Sequence, residues 1–249
     1  MKLQLIRNAT MKLDYAGQTI LTDPMLSPKD AIDSFAGVAR NPTVELPYEI
    51  DEIIEGIDGV LVSHDHPDHF DDAASAALPK TTPLFCQLVD EAQMRKKGFQ
   101  NLFPIQTSYN WHGMTFVRTD GQHGSGKILE HMGDVSGFVL QADGEPTVYW
   151  VGDSIWCEPV EKAIKTFQPD VIVTHSGGAT IPGYDPIIMD MDQTLATAKA
   201  SPESTIVAIH LEALDHCPVS RENLRQRAQR ELDRPSRLMI PKDGEIILF

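Results

Sequence analysis

A run of six residues, His64-Asp65-His66-Pro67-Asp68-His69, constrains this chain more than any other feature. It follows the apolar segment Gly59 to Ser63, which is predicted to be a short buried strand. Alternate residues of a strand point the same way, so His64 and His66 can face one locus. Pro67 ends the strand, and Asp68 to Asp72 are predicted to form the first turn of a helix. The run therefore brings four potential metal ligands to one strand–helix junction: His64, His66, Asp68 and His69.

The chemistry of these side chains indicates a transition-metal site. Imidazole nitrogen and carboxylate oxygen suit Zn²⁺, and also Mn²⁺ or Fe²⁺. The alternative is a polar surface loop in which three of the nine histidines of the chain fall within six residues by chance. That alternative requires both the composition and the spacing to be accidental, so a metal site is the better prediction.

Three more candidate ligands stand directly after predicted strands. A site for two metals needs about seven protein ligands, so further donors are expected elsewhere in the chain. His123 follows a strand at 114–119, Asp153 follows one at 147–151, and His210 follows one at 205–209. Sheets often place ligands at the carboxyl ends of their strands. Each residue alone is open to a structural interpretation, but together with the first run they predict a two-metal site.

The remaining pattern predicts one α/β domain that covers residues 1–249. A hairpin or meander is predicted at 2–7, 10–15 and 19–22, followed by a long irregular stretch from 24 to 50, a length typical of binding loops. Helices are predicted at 71–78, 90–97, 159–167, 192–200 and 220–232, and further strands at 84–87, 101–105, 114–119, 137–141, 147–151, 171–174 and 205–209, with a final strand pair that turns at Asp243-Gly244. This order indicates two sheets packed face to face with helices outside.

Charge and composition narrow the partners. The formal net charge of −15 disfavours nucleic acid, whose binding depends on Lys and Arg. The chain has no apolar run of about 20 residues and no signal-peptide pattern, so no membrane association is expected. Three scattered cysteines indicate a reducing compartment, and we expect a cytoplasmic protein with a small-molecule substrate. A homo-oligomer is compatible with the sequence.

The combined motifs resemble a known superfamily. His-x-His-x-Asp-His at 64–69, a later His, Gly-Asp-Ser at 152–154 and a final His after another strand are similar to the metallo-β-lactamase superfamily. Thr22-Asp23-Pro24 and the segment 240–244 resemble the branch that contains L-ascorbate-6-phosphate lactonase and related metal-dependent hydrolases. The resemblance spans essentially the whole chain. It departs at Asn8, where that branch often carries a histidine.

The resemblance implies a fold, a ligand set and an activity. The fold implied is a four-layer αββα sandwich with the site at one edge of its two sheets. The ligands implied are His64, His66 and His123 for one metal, Asp68, His69 and His210 for the other, and Asp153 as the bridge. Two divalent ions, Zn²⁺ or alternatively Mn²⁺, would activate a water to cleave a small ester, lactone or phosphoester. Asp68 and Asp153 are then the catalytic carboxylates, and Asp68 is placed to shuttle a proton.

Two questions stay open from the sequence. One is a redox alternative: the diiron flavoprotein members carry glutamate where this chain has His66, but a mononuclear iron dioxygenase on the same fold shares much of the motif. The other concerns His131, His175 and His216, which are candidates for binding the substrate or for supporting the metal ligands.

Overall fold

Two seven-stranded sheets form the centre of the molecule in this computed structural model, which describes residues 1–249. The first sheet has the order β14-β1-β2-β3-β4-β5-β6 and contains β1 (Lys2–Arg7), β2 (Thr10–Tyr15), β3 (Gln18–Thr22), β4 (Gly59–Val62), β5 (Leu84–Gln87), β6 (Leu102–Ile105) and β14 (Ile246–Leu248). The second sheet has the order β13-β12-β11-β10-β9-β8-β7 and contains β7 (Ser108–Trp111), β8 (Met114–Asp120), β9 (Ser136–Gln141), β10 (Val148–Trp150), β11 (Val171–His175), β12 (Thr205–Ile209) and β13 (Leu238–Met239).

Both sheets change from antiparallel to parallel pairing partway across. In the first sheet β1, β2 and β3 pair antiparallel, and β3 to β6 pair parallel. In the second sheet β7 to β10 pair antiparallel, and β10 to β13 pair parallel. Parallel neighbours need crossover connections, which explains why helices follow these strands. The parallel strands of each sheet end at a common edge, and this edge carries the site.

Seven α-helices and three 3₁₀ turns connect the strands, and six of the helices cover the outer faces of the sheets. The helices are α1 (Ile50–Ile54), α2 (Asp72–Ala77), α3 (Glu91–Lys96), α4 (Leu129–Met132), α5 (Glu158–Phe167), α6 (Met191–Ala200) and α7 (Arg221–Glu231), and the 3₁₀ turns are Leu88–Asp90, Gly126–Ile128 and Pro235–Arg237. None of these helices has the length and apolar character needed to cross a bilayer.

Three apolar layers hold the sheets and helices together. The layer between the sheets includes Leu61 of β4 and Trp150 of β10. A second layer joins the second sheet to α5, α6 and α7, and a third joins the first sheet to α1, α2 and α3. Burial of apolar side chains on both faces of each sheet gives four layers of secondary structure. The predicted αββα sandwich is confirmed.

Most predicted elements are present with ends shifted by one or two residues, but two predictions were wrong. The last two strands do not pair with each other: β13 joins β12 in the second sheet, and β14 joins β1 in the first. The chain crosses from one sheet to the other, and Asp243-Gly244 turns within that crossing. Residues 68–70 form a turn instead of helix, since α2 begins at Asp72, where Asp71 accepts a capping hydrogen bond from Ala74 N. β7, α1 and α4 were not predicted from the sequence.

Candidate metal centre

The side chains predicted as metal ligands converge at the carboxyl ends of strands from both sheets. The run from His64 follows β4 of the first sheet, while His123, Asp153 and His210 follow β8, β10 and β12 of the second. All of these side chains except His66 are buried. The two sheets are joined here by a backbone hydrogen bond from His210 N to Asn8 O, 2.9 Å long. The site therefore lies across the seam between the sheets.

Two groups of potential donors stand side by side. His64, His66 and His123 form one group, and His69, Asp153, His175 and His210 form the other, with the donor atoms of each group within 4.8 Å of one another. Asp68 belongs next to the second group, because its Oδ2 lies 3.1 Å from His210 Nε2 and 3.6 Å from His69 Nε2. Every ligand predicted from the sequence is thus brought to this locus.

Asp153 connects the two groups. Its Oδ2 lies 3.2 Å from His69 Nε2, 3.5 Å from His123 Nε2 and 4.0 Å from His64 Nε2. Its Oδ1 lies 3.7 Å from His210 Nε2 and 2.6 Å from His175 Nδ1. One carboxylate therefore faces imidazoles of both groups, which is the placement that a bridging ligand requires.

The other ring nitrogen of each buried candidate ligand has a partner behind the site. His64 Nδ1 lies 3.1 Å from Ser63 Oγ, and His123 Nδ1 lies 2.9 Å from the carbonyl oxygen of Ile187. His69 Nδ1 lies 3.3 Å from Asp23 Oδ2, and His210 Nδ1 lies 3.6 Å from Cys217 Sγ. Such outer contacts fix the ring orientation and leave Nε2 of each ring directed at the locus.

Two of these partners, Asp23 and Cys217, were not identified as site residues from the sequence. Asp23 is fully buried and also accepts hydrogen bonds from Ser63 N and Trp150 Nε1, at 2.7 and 3.1 Å. The signal for Asp23 was its place after a strand, in Thr22-Asp23-Pro24. Cys217 carried no such signal, because its contact with His210 depends on how the loop after β12 folds.

In the absence of metal ions, His64 and His123 differ in charge from His69 and His210. Burial lowers the pKa of His64 well below its usual value, and burial lowers that of His123 to about 4, so both rings are neutral. Burial also opposes charge on His69, but Asp153, Asp68 and Asp23 outweigh it and raise the pKa of His69 to about 10. The same balance, led by Asp153 against burial, raises the pKa of His210. The imidazolium rings in turn lower the pKa of Asp68 and of Asp153 against the effect of burial.

These residues fit divalent metal ions. His69 Nε2 is buried and makes no well-oriented hydrogen bond, although two carboxylates lie beside it. A buried donor without a partner is rare unless a ligand satisfies it. The set of imidazoles and carboxylates is the one that Zn²⁺ and related ions prefer. Binding a cation to the second group would release the protons of His69 and His210, since a metal ligand must be deprotonated.

Unusual backbone geometry surrounds the centre. His210, Asn8 and Asp23 have positive φ angles of 61°, 57° and 40°. Such conformations are unfavourable for side chains other than glycine and concentrate at functional sites. Gly177, after β11, has no room for a side chain: an added Cβ would lie 2.2 Å from His210 O and 2.9 Å from Cys217 Sγ. Asn8 Nδ2 donates to the main-chain oxygen of Asp68 at 3.0 Å.

The three further histidines differ in their positions. His175 ends β11 inside the site, fully buried against Asp153. His216 is buried, and its ring packs edge-on against Phe35, with 5.1 Å between the ring centroids. His131 is exposed on α4 and contacts none of the candidate ligands through hydrogen bonds or ring packing. The contact with His210 Nδ1 is made by Cys217 and not by His216.

A loop over residues 34–41 is attached to the segment that follows His210. The carboxylate of Asp215 accepts hydrogen bonds from Ser34 Oγ, from four backbone N–H groups between Phe35 and Ala39, and from Asn41 Nδ2. These donors lower the pKa of Asp215 despite desolvation, which acts in the opposite direction. The loop carries Phe35, so Asp215 fixes an aromatic side chain against His216.

An apolar cluster lies next to the loop and the centre. Its buried members include Ile187, whose carbonyl accepts from His123, and Cys217, which contacts His210. Phe35, Met132 and Ile181 pack on this cluster and stay partly exposed. The surroundings of the centre on this side are therefore apolar.

Comparisons with known proteins agree with this geometry. Residues 18–211 match the family described as Beta-lactamase superfamily domain. The UPF0173 protein YddR of Bacillus subtilis (strain 168) is 36% identical over 255 aligned residues, which cover all of both chains. A UPF0173 metal-dependent hydrolase of Xanthobacter autotrophicus is 26% identical over 71% of this chain and 72% of its own. The crystal structure of isothiocyanate hydrolase from Delia radicum gut bacteria has a TM-score of 0.95 and 39% identity, covering 100% of this chain and 99% of that one.

The match in sequence extends over the same strands and loops that assemble the two donor groups. The family match and the geometry of the site therefore agree. This chain is a member of the metallo-β-lactamase superfamily and, within it, of the UPF0173 family of metal-dependent hydrolases.

Proposed function

We propose that this protein hydrolyses a small, uncharged carbon electrophile, an ester, a lactone or an isothiocyanate, at a centre of two divalent ions. The observation that carries the proposal is the position of Asp153, whose two carboxylate oxygens face imidazoles of both donor groups. His64, His66 and His123 would hold one ion, and Asp68, His69 and His210 the other, with Asp153 between them. When bound, the ions supply a water of lowered pKa and an electrophilic surface for the developing negative charge.

The charges around the centre favour an uncharged substrate. No Lys or Arg side chain forms an ion pair or a hydrogen bond with any of the seven proposed ligands. Arg7 is buried nearby, but its guanidinium donates to the carbonyl oxygens of Met25, Ser27 and Val44. Many sites that bind phosphate groups use Arg or Lys to recognise them. A phosphoester therefore fits this centre less well than a neutral electrophile.

The apolar cluster beside the centre favours a substrate with an apolar substituent. Phe35, Met132 and Ile181 offer partly exposed side chains close to the segments that hold His123 and His210. Burying an apolar group there stabilises the complex in proportion to the area covered. A relative with 39% identity over the whole chain hydrolyses isothiocyanates, which agrees with this chemistry.

Asp68 is the residue best placed to move a proton. Its carboxylate contacts His210 and His69 on one side, and it retains 6% exposure. In the reaction it would accept the proton of the attacking water and return it to the leaving oxygen or nitrogen. In an isothiocyanate the water oxygen bonds to the central carbon, the carbon–nitrogen bond breaks, and the products are an amine and carbonyl sulfide.

The finer relationship to the L-ascorbate-6-phosphate lactonase branch is part of this proposal. It is supported by Thr22-Asp23-Pro24, since Asp23 contacts His69. We also propose that residues 1–249 form one domain, because the C-terminal strand β14 returns to pair with β1. We also propose that the protein acts in the cytoplasm on a small molecule and binds neither nucleic acid nor membrane. Whether it forms a homo-oligomer is a question for measurement.

The test is a substrate screen with purified protein loaded separately with Zn²⁺ and Mn²⁺. An aryl ester, a γ-lactone, benzyl isothiocyanate and bis(p-nitrophenyl) phosphate are compared. We expect turnover of at least one neutral substrate to exceed that of the phosphodiester, and we expect Asp153→Asn to abolish it. Asp14→Asn is the matched control, because Asp14 lies on β2, where its carboxylate contacts only Lys2 and Thr19 Oγ1 and none of the proposed ligands.

Two results would contradict the proposal. The first is a phosphodiester preference, or an Asp153→Asn variant that keeps its activity. The second is elemental analysis that finds one iron per chain, which would favour the mononuclear iron dioxygenase alternative on the same fold.

A further inference from the structure

We infer that His175 is a positioning residue that holds Asp153 through a hydrogen bond, and that it is not a metal ligand. The inference rests on the two-metal centre proposed above. His175 stands at the end of β11, between β10 and β12, whose ends carry Asp153 and His210. Its position alone is therefore compatible with either role, and the distances distinguish them.

The spacing between donor atoms separates ligands from hydrogen-bond partners. With metal–ligand bonds of about 2.0–2.1 Å, two ligands of one ion lie about 2.8–3.4 Å apart for angles between 90° and the tetrahedral value, and further apart at wider angles. The contacts of Asp153 Oδ2 with His69 Nε2, at 3.2 Å, and of Asp68 Oδ2 with His210 Nε2, at 3.1 Å, lie in that range. His175 Nδ1 is only 2.6 Å from Asp153 Oδ1, which is the length of a charge-assisted hydrogen bond.

The packing of the ring supports the same assignment. The ring packs edge-on against Trp150, with 5.4 Å between centroids, and stacks with His69 at 5.5 Å. Packing on both sides holds the ring so that Nδ1–H points at the carboxylate. Trp150 also donates to Asp23, so one side chain supports both His175 and the residue that contacts His69.

The consequence for Asp153 is that its two oxygens become unequal. Oδ1 is occupied by the Nδ1–H of His175, whereas Oδ2 faces Nε2 of His64, His69 and His123. His175 thereby fixes the carboxylate in the orientation that presents Oδ2 to both groups. Outer contacts of this kind usually change metal affinity by about 10- to 100-fold when they are removed.

The test compares His175→Asn with His175→Leu. The amide of asparagine can donate from nearly the same place as Nδ1, whereas leucine cannot donate at all. Val173→Ala is the control for lost packing, because Val173 lies two residues earlier on the same face of β11 and belongs only to the apolar core. The readouts are metal ions per chain by elemental analysis, Zn²⁺ affinity in competition with a chelating dye, and the visible spectrum of the Co²⁺-loaded protein.

A positioning role gives a defined pattern. His175→Asn should bind two ions with an affinity within about threefold of the starting protein, while His175→Leu should hold one of them about 10- to 100-fold more weakly and show an altered Co²⁺ band. Val173→Ala should lower stability and leave affinity unchanged.

Other outcomes overturn the inference. If both His175 variants bind one ion fewer, His175 is a ligand. If His175→Leu binds like the starting protein, His175 has no role in the centre. Should His175→Leu fail to fold, His175→Asn still decides between a ligand, with one ion lost, and a hydrogen-bond donor, with none lost. A starting protein that binds one ion contradicts the proposed function, and the comparison of the variants still decides the role of His175.

Discussion

Replacing Asp23 by asparagine should weaken metal binding and lower stability, although Asp23 is not a proposed ligand, because Asp23 supports His69. The Asp23 carboxylate is fully buried and has three neighbours that can donate to it: Ser63 N at 2.7 Å, Trp150 Nε1 at 3.1 Å and His69 Nδ1 at 3.3 Å. In Asp23→Asn the amide oxygen can keep the bond from Ser63 N. The amide nitrogen then takes the place of Oδ2 and directs N–H groups at two other donors.

The expected loss follows from these contacts. An unsatisfied buried Trp150 N–H costs about 1–3 kcal/mol, and loss of the charged partner of His69 adds a similar amount. Breaking a buried, hydrogen-bonded charge pair usually costs about 3–5 kcal/mol, which agrees with the sum. We therefore expect the free energy of unfolding of the metal-free protein to fall by about 3–5 kcal/mol, and Zn²⁺ affinity to fall by about 10- to 100-fold.

Urea unfolding of the metal-free protein and a competition assay with a chelating dye measure the two effects. Asp58→Asn is the control, since exposed Asp58 accepts one hydrogen bond from Thr19 N that asparagine can also accept. A change below about 1 kcal/mol for Asp23→Asn, together with unchanged Zn²⁺ affinity, would refute the assignment of Asp23 as a support for His69.

Two further predictions concern other parts of the chain. Gly177→Ala should weaken Co²⁺ binding and lower the free energy of unfolding by about 1–3 kcal/mol, because the added Cβ would lie 2.2 Å from His210 O. Unchanged Co²⁺ binding in a metal titration would contradict this prediction. Asp90→Asn should stabilise the protein above pH 7 and have little effect below pH 4. Burial, with Asp65 and Asp134, raises the pKa of Asp90 to about 6 against a hydrogen bond from Gln87, so the folded state binds the Asp90 proton more tightly than the unfolded state. The Asp90 carboxylate therefore lowers the free energy of unfolding as pH rises from about 4 to about 6, by about 1–3 kcal/mol in total. Urea unfolding at several pH values measures this effect. A difference between Asp90→Asn and the starting protein that is equal at every pH would contradict the explanation.

Local patterns in the sequence were sufficient for the type of fold and for the residues that the structure brings to the candidate metal centre. His64 to His69, His123, Asp153 and His210 were recognised because each follows an apolar segment that is long enough for a strand. Strand ends are local features, since they depend on side-chain periodicity and on residues such as Pro67. Helix α3 ends at Lys96, two residues before Gly98, whose φ of +92° suits a glycine after a helix.

Pairings between distant segments were decided only by the tertiary structure. β13 and β14 were predicted to pair with each other because a turn lies between them, yet each pairs with a strand of a different sheet. The contact between Asp68 and His210 joins residues 142 positions apart, and the hydrogen bonds between loop 34–41 and Asp215 span 174 to 181 positions. No periodicity reports such contacts, because they depend on how the two sheets pack.

The roles of the remaining histidines show the same division. The sequence by itself determined that histidines and carboxylates would gather at strand ends, because alternation along each strand and its termination are written in adjacent residues. For a buried imidazole, the choice between binding a metal and supporting a ligand is a matter of a few tenths of an ångström. His175 is 2.6 Å from Asp153, while His131 is exposed on α4. Only the packing of both sheets fixes distances of that precision.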